Sequence, residues 1–498
     1  MELIFKKIKF WPKLAWVAIL SETKKAEILH GPMVEVHNDW AIEGVWDGAF
    51  DKGNFDYSDL IFGSGIRKRK DELIFVSSAT GVDRLWHTTG QNIIYVSNTL
   101  PGLLSVSNIS LRQNYSHYSE DIMTIERKGL YSYTKQIPSS GADINIVYYK
   151  NLIWNSKSII EIDKPSITPN FTDFNSYQQF LKETAEKLGK NASSIKRRFQ
   201  IEMLAGISSG YDSVATAVIS RYAGCKKAVT ITNSSSLWRG SDSGVDIAKK
   251  LGLSCQQVKH SKKNYKKEIF SWASAGHAGG RNLTLFDYPK PLCLFFNGSY
   301  GDIVWDRLHQ NLVEPRGDMD ALLCEFRLEE GLFVTVVPWW GIRKAKEIQK
   351  ISLLEEMEPW TLGTSYDRPI ARRLAEEAGI ERSSFGIRKK NTASNETLFW
   401  PSTAEAQKHL EKFTQSLNIK FPTPLKIFIF SQLFLLLNVI YKNTAKKMKI
   451  KQWWRPWAKF PCRHFLFLWA NHTLRDVYYK TQRNQNSSLT IENKSSNN

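Results

Sequence analysis

The sequence has few cysteines, and they form no metal-binding pattern. Five cysteines are scattered over 498 residues without a Cys-x-x-Cys pair, and no histidines cluster at ligand spacing. A structural zinc site is therefore not expected. An odd number of cysteines without a disulfide framework is typical of a reducing compartment, so we expect a cytoplasmic protein.

Long hydrophobic runs are also lacking. The longest, Ile427 to Tyr441, has about 15 residues, whereas a membrane-spanning helix needs about 20. Polar residues interrupt this run, which favours a buried or interfacial helix over a transmembrane one. The run Leu14 to Leu20 is shorter still and lacks a small-residue cleavage pattern, so we expect no signal peptide.

Acidic residues are scarce near the C-terminus. The segment from Lys426 to Asn498 contains thirteen Lys and Arg but only two Asp and Glu, so it contributes eleven of the net +19 charges. An apolar run followed by a Lys-, Arg- and Trp-rich stretch is typical of a segment in peripheral contact with an anionic membrane. The alternative is a core helix followed by solvated lysines. Nucleic acid is a less favoured partner, because the tryptophans form no repeating platform.

The composition predicts a folded protein of two or three domains, since 42% of the residues are hydrophobic. Residues 1–165 contain β-branched and aromatic runs broken by Gly, Asn and Asp, which predicts a strand-rich domain. From Ile201 onward, strands and helices alternate, which predicts an α/β fold with a doubly wound parallel sheet. We expect domains at 1–165 and 175–425, followed by a basic, aromatic segment at 426–498.

The stretch Ile201 to Ser213 gives the strongest functional signal. An apolar run leads into the small residues of Ser208 to Ser213, and a helical pattern follows. The backbone N–H groups of such a loop and the positive end of the helix converge on one point, which suits a phosphate or pyrophosphate. The lysine of the common P-loop is lacking. The alternative is an ordinary strand-to-helix turn with capping serines.

Two further blocks have polar residues after predicted elements. The turn Asn297 to Asp302 follows a buried strand, and its carboxylate is a candidate Mg²⁺ ligand facing Asp212. A plain Asn-Gly-Ser turn is the alternative. Farther along, Tyr366 to Ile370 opens a helix that leads to the cations Arg388 to Lys390, which form either an anion clamp or a solvated turn.

In this order and spacing, the blocks resemble the synthetase domain of the asparagine synthetase family, which also includes β-lactam synthetase and lasso-peptide cyclases. The resemblance covers roughly residues 175–400. It implies the PP-loop fold of N-type ATP pyrophosphatases, with ATP and Mg²⁺ as cofactors. The implied nucleotide-binding residues are Ser208, Ser209, Gly210, Asp212, Ser213, Thr230, Thr232 and Gly298. The implied metal ligands are Asp212 and Asp302, and the implied catalytic lysine is Lys390, with Lys389 as the neighbouring candidate.

A weaker resemblance reaches the N-terminal half. Val76 to Trp86, followed by Ile93 to Ser97, resembles a turn and strand of the family's glutaminase domain, and Trp46 to Phe50 is similar to its Gly-x-Phe-Ala strand. This implies an Ntn-type αββα sandwich ahead of the synthetase domain.

Three positions depart from the family pattern. Family glutaminases use a cysteine at position 2 as nucleophile, whereas this chain has Glu2, so we expect no glutaminase activity. Ser209 replaces the first glycine of the pyrophosphate loop. Ser299 stands where several members have a glutamate that is proposed as a base. Together the changes at positions 2 and 299 put asparagine itself in doubt as the product.

The sequence therefore predicts an ATP-dependent, AMP-forming amide ligase that adenylates a small-molecule carboxylate and transfers it to an amine or ammonia. Two alternatives stay open. One is a PP-loop enzyme that modifies tRNA. The basic C-terminus favours this alternative, and the Ntn-like N-terminal half argues against it. The other is a non-catalytic or regulatory protein, which Ser209 and Ser299 favour.

Overall fold

The computed structural model describes residues 1–233, 241–261, 264–276, 280–308, 323–387, 400–418 and 463–495, together with the helical positions 425, 426, 429, 432, 433 and 436. In the last helix the side chains are described from residue 465 through residue 482.

The N-terminal half contains two mainly antiparallel sheets. A seven-stranded sheet has the order β1-β3-β2-β9-β8-β11-β10, in which only β1 and β3 are parallel, and a six-stranded sheet has the order β13-β12-β7-β6-β5-β4. The strands are β1 (Glu2–Lys7), β2 (Trp16–Ser21), β3 (Lys25–His30), β4 (Glu35–His37), β5 (Trp40–Trp46), β6 (Ile61–Arg69), β7 (Glu72–Val76), β8 (Leu85–Gly90), β9 (Ile93–Ser97), β10 (Gln136–Ile137), β11 (Ile144–Val147), β12 (Lys150–Trp154) and β13 (Ile159–Asp163).

The two sheets pack face to face. Apolar side chains from both, alternating along each strand, form one buried cluster in which the rings of Trp16 and Phe75 stack with centroids 6.0 Å apart. Helix α1 (Leu100–Val106) lies against the seven-stranded sheet, and α4 (Phe174–Ala192) lies against β5 of the other. Two short helices, α2 (Tyr118–Ile122) and α3 (Thr124–Lys128), complete this half.

The second half is built on a five-stranded parallel sheet with the order β16-β15-β14-β17-β18. Its strands are β14 (Ile201–Gly206), β15 (Lys227–Ile231), β16 (Ser254–Val258), β17 (Leu292–Asn297) and β18 (Leu332–Val336). The chain first moves outward from β14 to β16 and then returns to the other side of β14. The predicted α/β class with a parallel sheet is therefore confirmed, and the reversal of strand order lies between β14 and β17.

Helices connect and cover this sheet. They are α5 (Tyr211–Tyr222), α6 (Val245–Lys250), α7 (Glu268–Ala275), α8 (Gly301–Val304), α9 (Cys324–Glu330), α10 (Ala345–Ile351), α11 (Pro369–Glu377), α12 (Ala404–Ser416) and α13 (Arg463–Ser495). Helix α5 packs between α4 and α11 and touches β14 and β17. Since parallel crossovers are right-handed, the reversal of strand order puts α5 and α9 on opposite faces of the sheet.

Buried ion pairs join the two halves. Arg327 on α9 binds Glu43 on β5 at 2.7 Å and also pairs with Asp83, and all three side chains are buried. Helix α13 packs on α1 and α7, with Trp469 and Tyr478 fully buried. Within the residues that the structure describes, no helix is both long enough and apolar enough to cross a membrane.

Candidate functional site

The loop between β14 and α5 is held in shape by its own serines. The Ser208 and Ser213 hydroxyls are 2.8 Å apart, and the Ser208 backbone N–H donates to the Ser213 hydroxyl at 3.1 Å. The Gly210 N–H donates to the Ser208 hydroxyl, also at 3.1 Å. The N-cap residue of α5 is Gly210, so no side chain at that position satisfies the first amides of the helix. The loop thus presents a preorganised helix N-terminus at the carboxyl end of a central strand.

Ser209, which replaces the family glycine, ties this loop to the next crossover. Its hydroxyl donates to the Asp242 carboxylate at 2.8 Å, and its backbone N–H donates to the Asp242 carbonyl at 3.2 Å. Asp242 lies in the segment between β15 and α6. The departure at position 209 therefore adds a charge-assisted hydrogen bond to the loop.

The turn after β17 touches the loop after β14 directly. A Cβ built on Gly298 would lie 2.7 Å from the Asp212 backbone, and one on Gly301 would lie 2.5 Å from the Asp212 carboxylate. Only glycine permits this approach, because any side chain would overlap Asp212. The two predicted blocks therefore meet where the strand order reverses, which is where open α/β sheets bind their ligands.

The same turn contains a strained residue. Tyr300 has a φ of 70°, a left-handed conformation that is costly for an aromatic residue. It is held by an edge-on contact with Trp339, with ring centroids 4.9 Å apart. The neighbouring Ser299 donates from its N–H and its hydroxyl to the Asn297 side chain, at 3.1 and 3.2 Å.

One arginine lies at the centre of the site. The buried guanidinium of Arg368 forms an ion pair with Asp212 and lies 3.8 Å from the Asp306 carboxylate. Burial opposes its charged form, yet the Asp212 and Asp302 carboxylates hold the pKa of Arg368 above its ordinary value. Three carboxylates thus surround one cation at the junction of the two loops.

The sequence alone predicts no role for Arg368 or Asp306. The block at 366–370 is predicted only as the start of a helix, and Arg368 is the N-cap residue of α11, directly before Pro369. An arginine at a helix start has no helix-dipole reason to be there, since cations are favoured at the other end. That mismatch is the signal that could have identified it.

Thr230 and Thr232, which the family resemblance implies as nucleotide-binding residues, lie at the end of β15. The buried Thr230 hydroxyl accepts from the Gly244 N–H at 3.0 Å, so it anchors the loop before α6. Thr232 follows the strand and donates from its N–H to the Val258 carbonyl at 3.0 Å. Lys389 and Lys390 lie outside the described residues. The chain leading to them is fixed to the loop, because the Gly386 N–H donates to the Ser209 carbonyl at 2.8 Å.

A cleft of about 660 Å³ opens beside the loop. Tyr366, Phe385 and the cations Arg372 and Arg382 are among its lining residues. Tyr211, the first residue of α5, packs against Tyr366 with ring centroids 4.8 Å apart and is bonded through its hydroxyl to Arg372. The cleft therefore combines aromatic faces with positive charge, a lining suited to an anionic or planar ligand.

Metal binding by protein ligands alone is not favoured. The described part of the chain contains no group of three or more His, Cys, Asp or Glu side chains that could hold a metal ion. Mg²⁺, however, is usually bound by one or two carboxylates together with substrate phosphates and water. Asp212 and Asp302 fit that donor set, since both lie at the junction next to a helix N-terminus.

Comparison with known proteins gives no further assignment. No protein-family model matches the chain, and no curated protein is significantly similar to it.

Proposed function

We propose that this protein is an ATP-dependent, AMP-forming amide ligase. The observation that carries the proposal is the contact between the two loops where the strand order reverses. Gly298 and Gly301 lie against Asp212 so closely that no side chain fits between them. A helix N-terminus and two carboxylates at one such point are the arrangement that a magnesium-bound polyphosphate requires.

The charges at the junction support a metal-bound rather than a free phosphate. Asp212, Asp302 and Asp306 outnumber Arg368, so a bare triphosphate would be repelled. Asp212 and Asp302 would hold Mg²⁺, which would supply positive charge to offset that repulsion and to favour pyrophosphate as the leaving group. Arg368 is then placed to bind the same anion, because its guanidinium is buried and remains charged.

In the first step, an oxygen of the substrate carboxylate attacks the α-phosphorus of ATP, and the bond to the bridging oxygen breaks. The electron pair leaves with pyrophosphate, and the product is an acyl-adenylate. In the second step, an amine nitrogen attacks the acyl carbon, AMP leaves and the nitrogen loses a proton. The helix N-terminus at Gly210 and the cation Arg368 would orient and stabilise the departing anion in the first step.

The lysine assigned by the family resemblance is within reach of this point. Lys390 follows Gly386 by four residues, and a stretch of that length can extend at most about 15 Å, because consecutive Cα atoms are about 3.8 Å apart. Gly386 is bonded to the loop itself. We therefore retain Lys390, with Lys389 as the alternative, as the cation that neutralises the leaving pyrophosphate.

The N-terminal half is proposed to be an Ntn-like αββα domain without glutaminase function. Two face-to-face sheets with α1 and α4 on their outer sides support the layered arrangement. Glu2 lies in the edge strand β1, where its backbone is in register with that of Lys25 on β3. A carboxylate there cannot act as the thiolate nucleophile of the family.

A non-catalytic nucleotide-binding protein is the second candidate. The ion pair between Arg368 and Asp212 favours it, because an arginine already neutralises a carboxylate that the ligase needs for Mg²⁺. In this alternative the loop binds a nucleotide, but no carboxylate is activated.

ATP–pyrophosphate exchange separates the two candidates. Labelled pyrophosphate is incubated with ATP, Mg²⁺ and the protein, and amino acids and acidic sugars are added one at a time. A ligase incorporates label into ATP only with its own carboxylate. Saturable ATP binding without exchange for any carboxylate in the panel would favour the non-catalytic protein.

A further inference from the structure

A helix beyond α12 exposes a row of large apolar side chains. Leu425, Ile429, Leu433 and Leu436 are helical and are 67%, 53%, 43% and 56% exposed, respectively. Their spacings of four, four and three residues place them along one side of the helix. We call these four residues the apolar stripe.

The stripe is not the scattered surface exposure that is ordinary in folded proteins. Helix α13, the next described helix, buries its apolar residues Leu466, Phe467 and Trp469 against the body of the protein. The four positions span twelve residues of the sequence, and the exposed Gln432 lies among them. An exposed row of four large apolar side chains marks a surface that contacts another molecule or a membrane.

The charge of the surrounding sequence limits what that partner is. From Lys426 to Cys462 the chain has eight Lys and Arg and no Asp or Glu. Three tryptophans, Trp453, Trp454 and Trp457, lie in the same stretch. Basic residues next to an apolar helix face, with tryptophans that favour the headgroup region, are the composition of helices that lie in an anionic membrane surface.

We propose that the apolar stripe inserts into the interface of a membrane rich in anionic lipids, with the helix axis parallel to the surface. Spanning is disfavoured for the run Ile427 to Tyr441, because it has only about 15 residues and polar residues interrupt it. A second copy of the chain is disfavoured, because two stretches with eight cations and no acid would repel each other. The lipid headgroup surface satisfies both the apolar and the charge requirement.

Vesicle flotation of the full-length protein tests this proposal. One set of vesicles is phosphatidylcholine alone, and the other contains about 30% phosphatidylserine. The variant replaces three stripe residues, Ile429→Ser, Leu433→Ser and Leu436→Ser. The control variant replaces three residues of similar exposure elsewhere, Ile160→Ser, Ile167→Ser and Leu353→Ser, which are 51%, 50% and 50% exposed. Circular dichroism and the thermal midpoint verify that each protein is folded.

The wild type and the control variant should float with the anionic vesicles, and raising the salt from about 0.1 M to about 0.5 M should release them, because salt screens the attraction. The stripe variant should partition at least about tenfold more weakly, since three apolar side chains no longer enter the interface. Equal binding by the stripe variant, equal binding to both vesicle types, or no binding by the wild type would overturn the proposal. A wild type that is dimeric by light scattering, and a stripe variant that is monomeric, would instead assign the stripe to a second copy.

Discussion

At the residue scale, Asp212 is the side chain on which the contacts of the candidate site converge. Its carboxylate pairs with Arg368, and its surroundings leave room only for the glycines of the facing turn. Asp302 adds the second carboxylate from that turn. Because each would supply one oxygen ligand to Mg²⁺, neither can replace the other.

Replacing either carboxylate by its amide should therefore abolish exchange. Asp212→Asn and Asp302→Asn keep the side-chain volume but remove the charged metal ligand, so exchange should fall by at least about a hundredfold. Thermal melting should show that both variants are still folded. Asp163→Asn, whose side chain is 80% exposed, serves as the control. Wild-type exchange in both site variants would rule out the two-carboxylate site.

Glu325 on α9 is a second residue with an unusual environment. Burial raises the pKa of its carboxyl from 4.5 to about 7, although Thr99 donates to it at 2.8 Å and the Leu100 N–H at 2.9 Å. Arg84 and Arg327 act in the opposite direction to burial. The folded protein therefore holds a proton on Glu325 over a pH range in which the unfolded chain has released it.

This shift predicts a pH-dependent stability. The contribution of protonated Glu325 to the free energy of unfolding is complete below pH 4.5 and is lost as the pH rises through about 7. The loss amounts to about 3 kcal/mol, since each pKa unit corresponds to about 1.4 kcal/mol. Glu325→Gln should remove it, so urea unfolding at about pH 5 and about pH 8 should show a smaller change for the variant than for the wild type. Parallel pH profiles of the two proteins would contradict the assignment.

At the scale of elements, α9 joins the two halves through Arg327. The arginine pairs with Glu43 on β5 and with Asp83 in the segment before β8, and all three groups are buried. Removing the arginine leaves two buried carboxylates without their cation.

Arg327→Met should consequently destabilise the fold by roughly 3–5 kcal/mol. The exposed pair between Arg382 and Glu376 offers a matched control, and Arg382→Met should cost at most about 1 kcal/mol. Denaturant midpoints measure both. Adding Glu43→Gln to Arg327→Met should recover part of the loss, because the two sites interact. If the free-energy costs of Arg327→Met and Glu43→Gln simply add in the double variant, the two buried residues are not coupled.

The elements of the parallel sheet could be predicted well from the sequence. The alternation of strands and helices expected from Ile201 onward is found, and the buried strand expected before Asn297 is β17. These segments have a strong local pattern. The strand β18 was not predicted, although it lies beside β17 and completes the sheet.

Long-range partners could not be predicted in this way. The pairing of Arg368 with Asp212 joins residues 156 positions apart, and the tie from Ser209 to Asp242 joins two separate loops. No local periodicity encodes such contacts. The polar blocks themselves, by contrast, were recognisable, since glycine and carboxylate after a strand leave a local signature.

At the scale of the whole molecule, residues 1–165 contain no cysteine, and the cysteines that the structure describes farther along the chain are poor nucleophiles. Cys225, Cys293 and Cys324 are buried and Cys255 is partly buried. Burial raises the pKa of the Cys255 thiol to about 11 and that of Cys324 to about 12, and raises those of the other two as well. Thiols of this kind are inert as nucleophiles near neutral pH.

We therefore predict that the purified protein releases no glutamate from glutamine. A coupled glutamate dehydrogenase assay measures this, with a known glutaminase as the positive control. We expect the N-terminal half instead to stabilise the domain that contains the parallel sheet, through the buried ion pairs that Arg327 forms with Glu43 and Asp83. Glutamate release at enzyme-like rates that iodoacetamide abolishes would contradict this account.

Binding of pyrophosphate is the most direct test of the central claim, because it needs no knowledge of the carboxylate substrate. Titration calorimetry with pyrophosphate and Mg²⁺ should show saturable binding to the wild type and to Asp163→Asn. Chelation of the metal should weaken binding by at least about thirtyfold, since the carboxylates then repel the anion, and Asp302→Asn should weaken it by a similar factor because one metal ligand is lost. Wild-type affinity in Asp302→Asn and in Asp212→Asn, or affinity that is indifferent to Mg²⁺, would contradict the assignment of these two loops as a magnesium-pyrophosphate site.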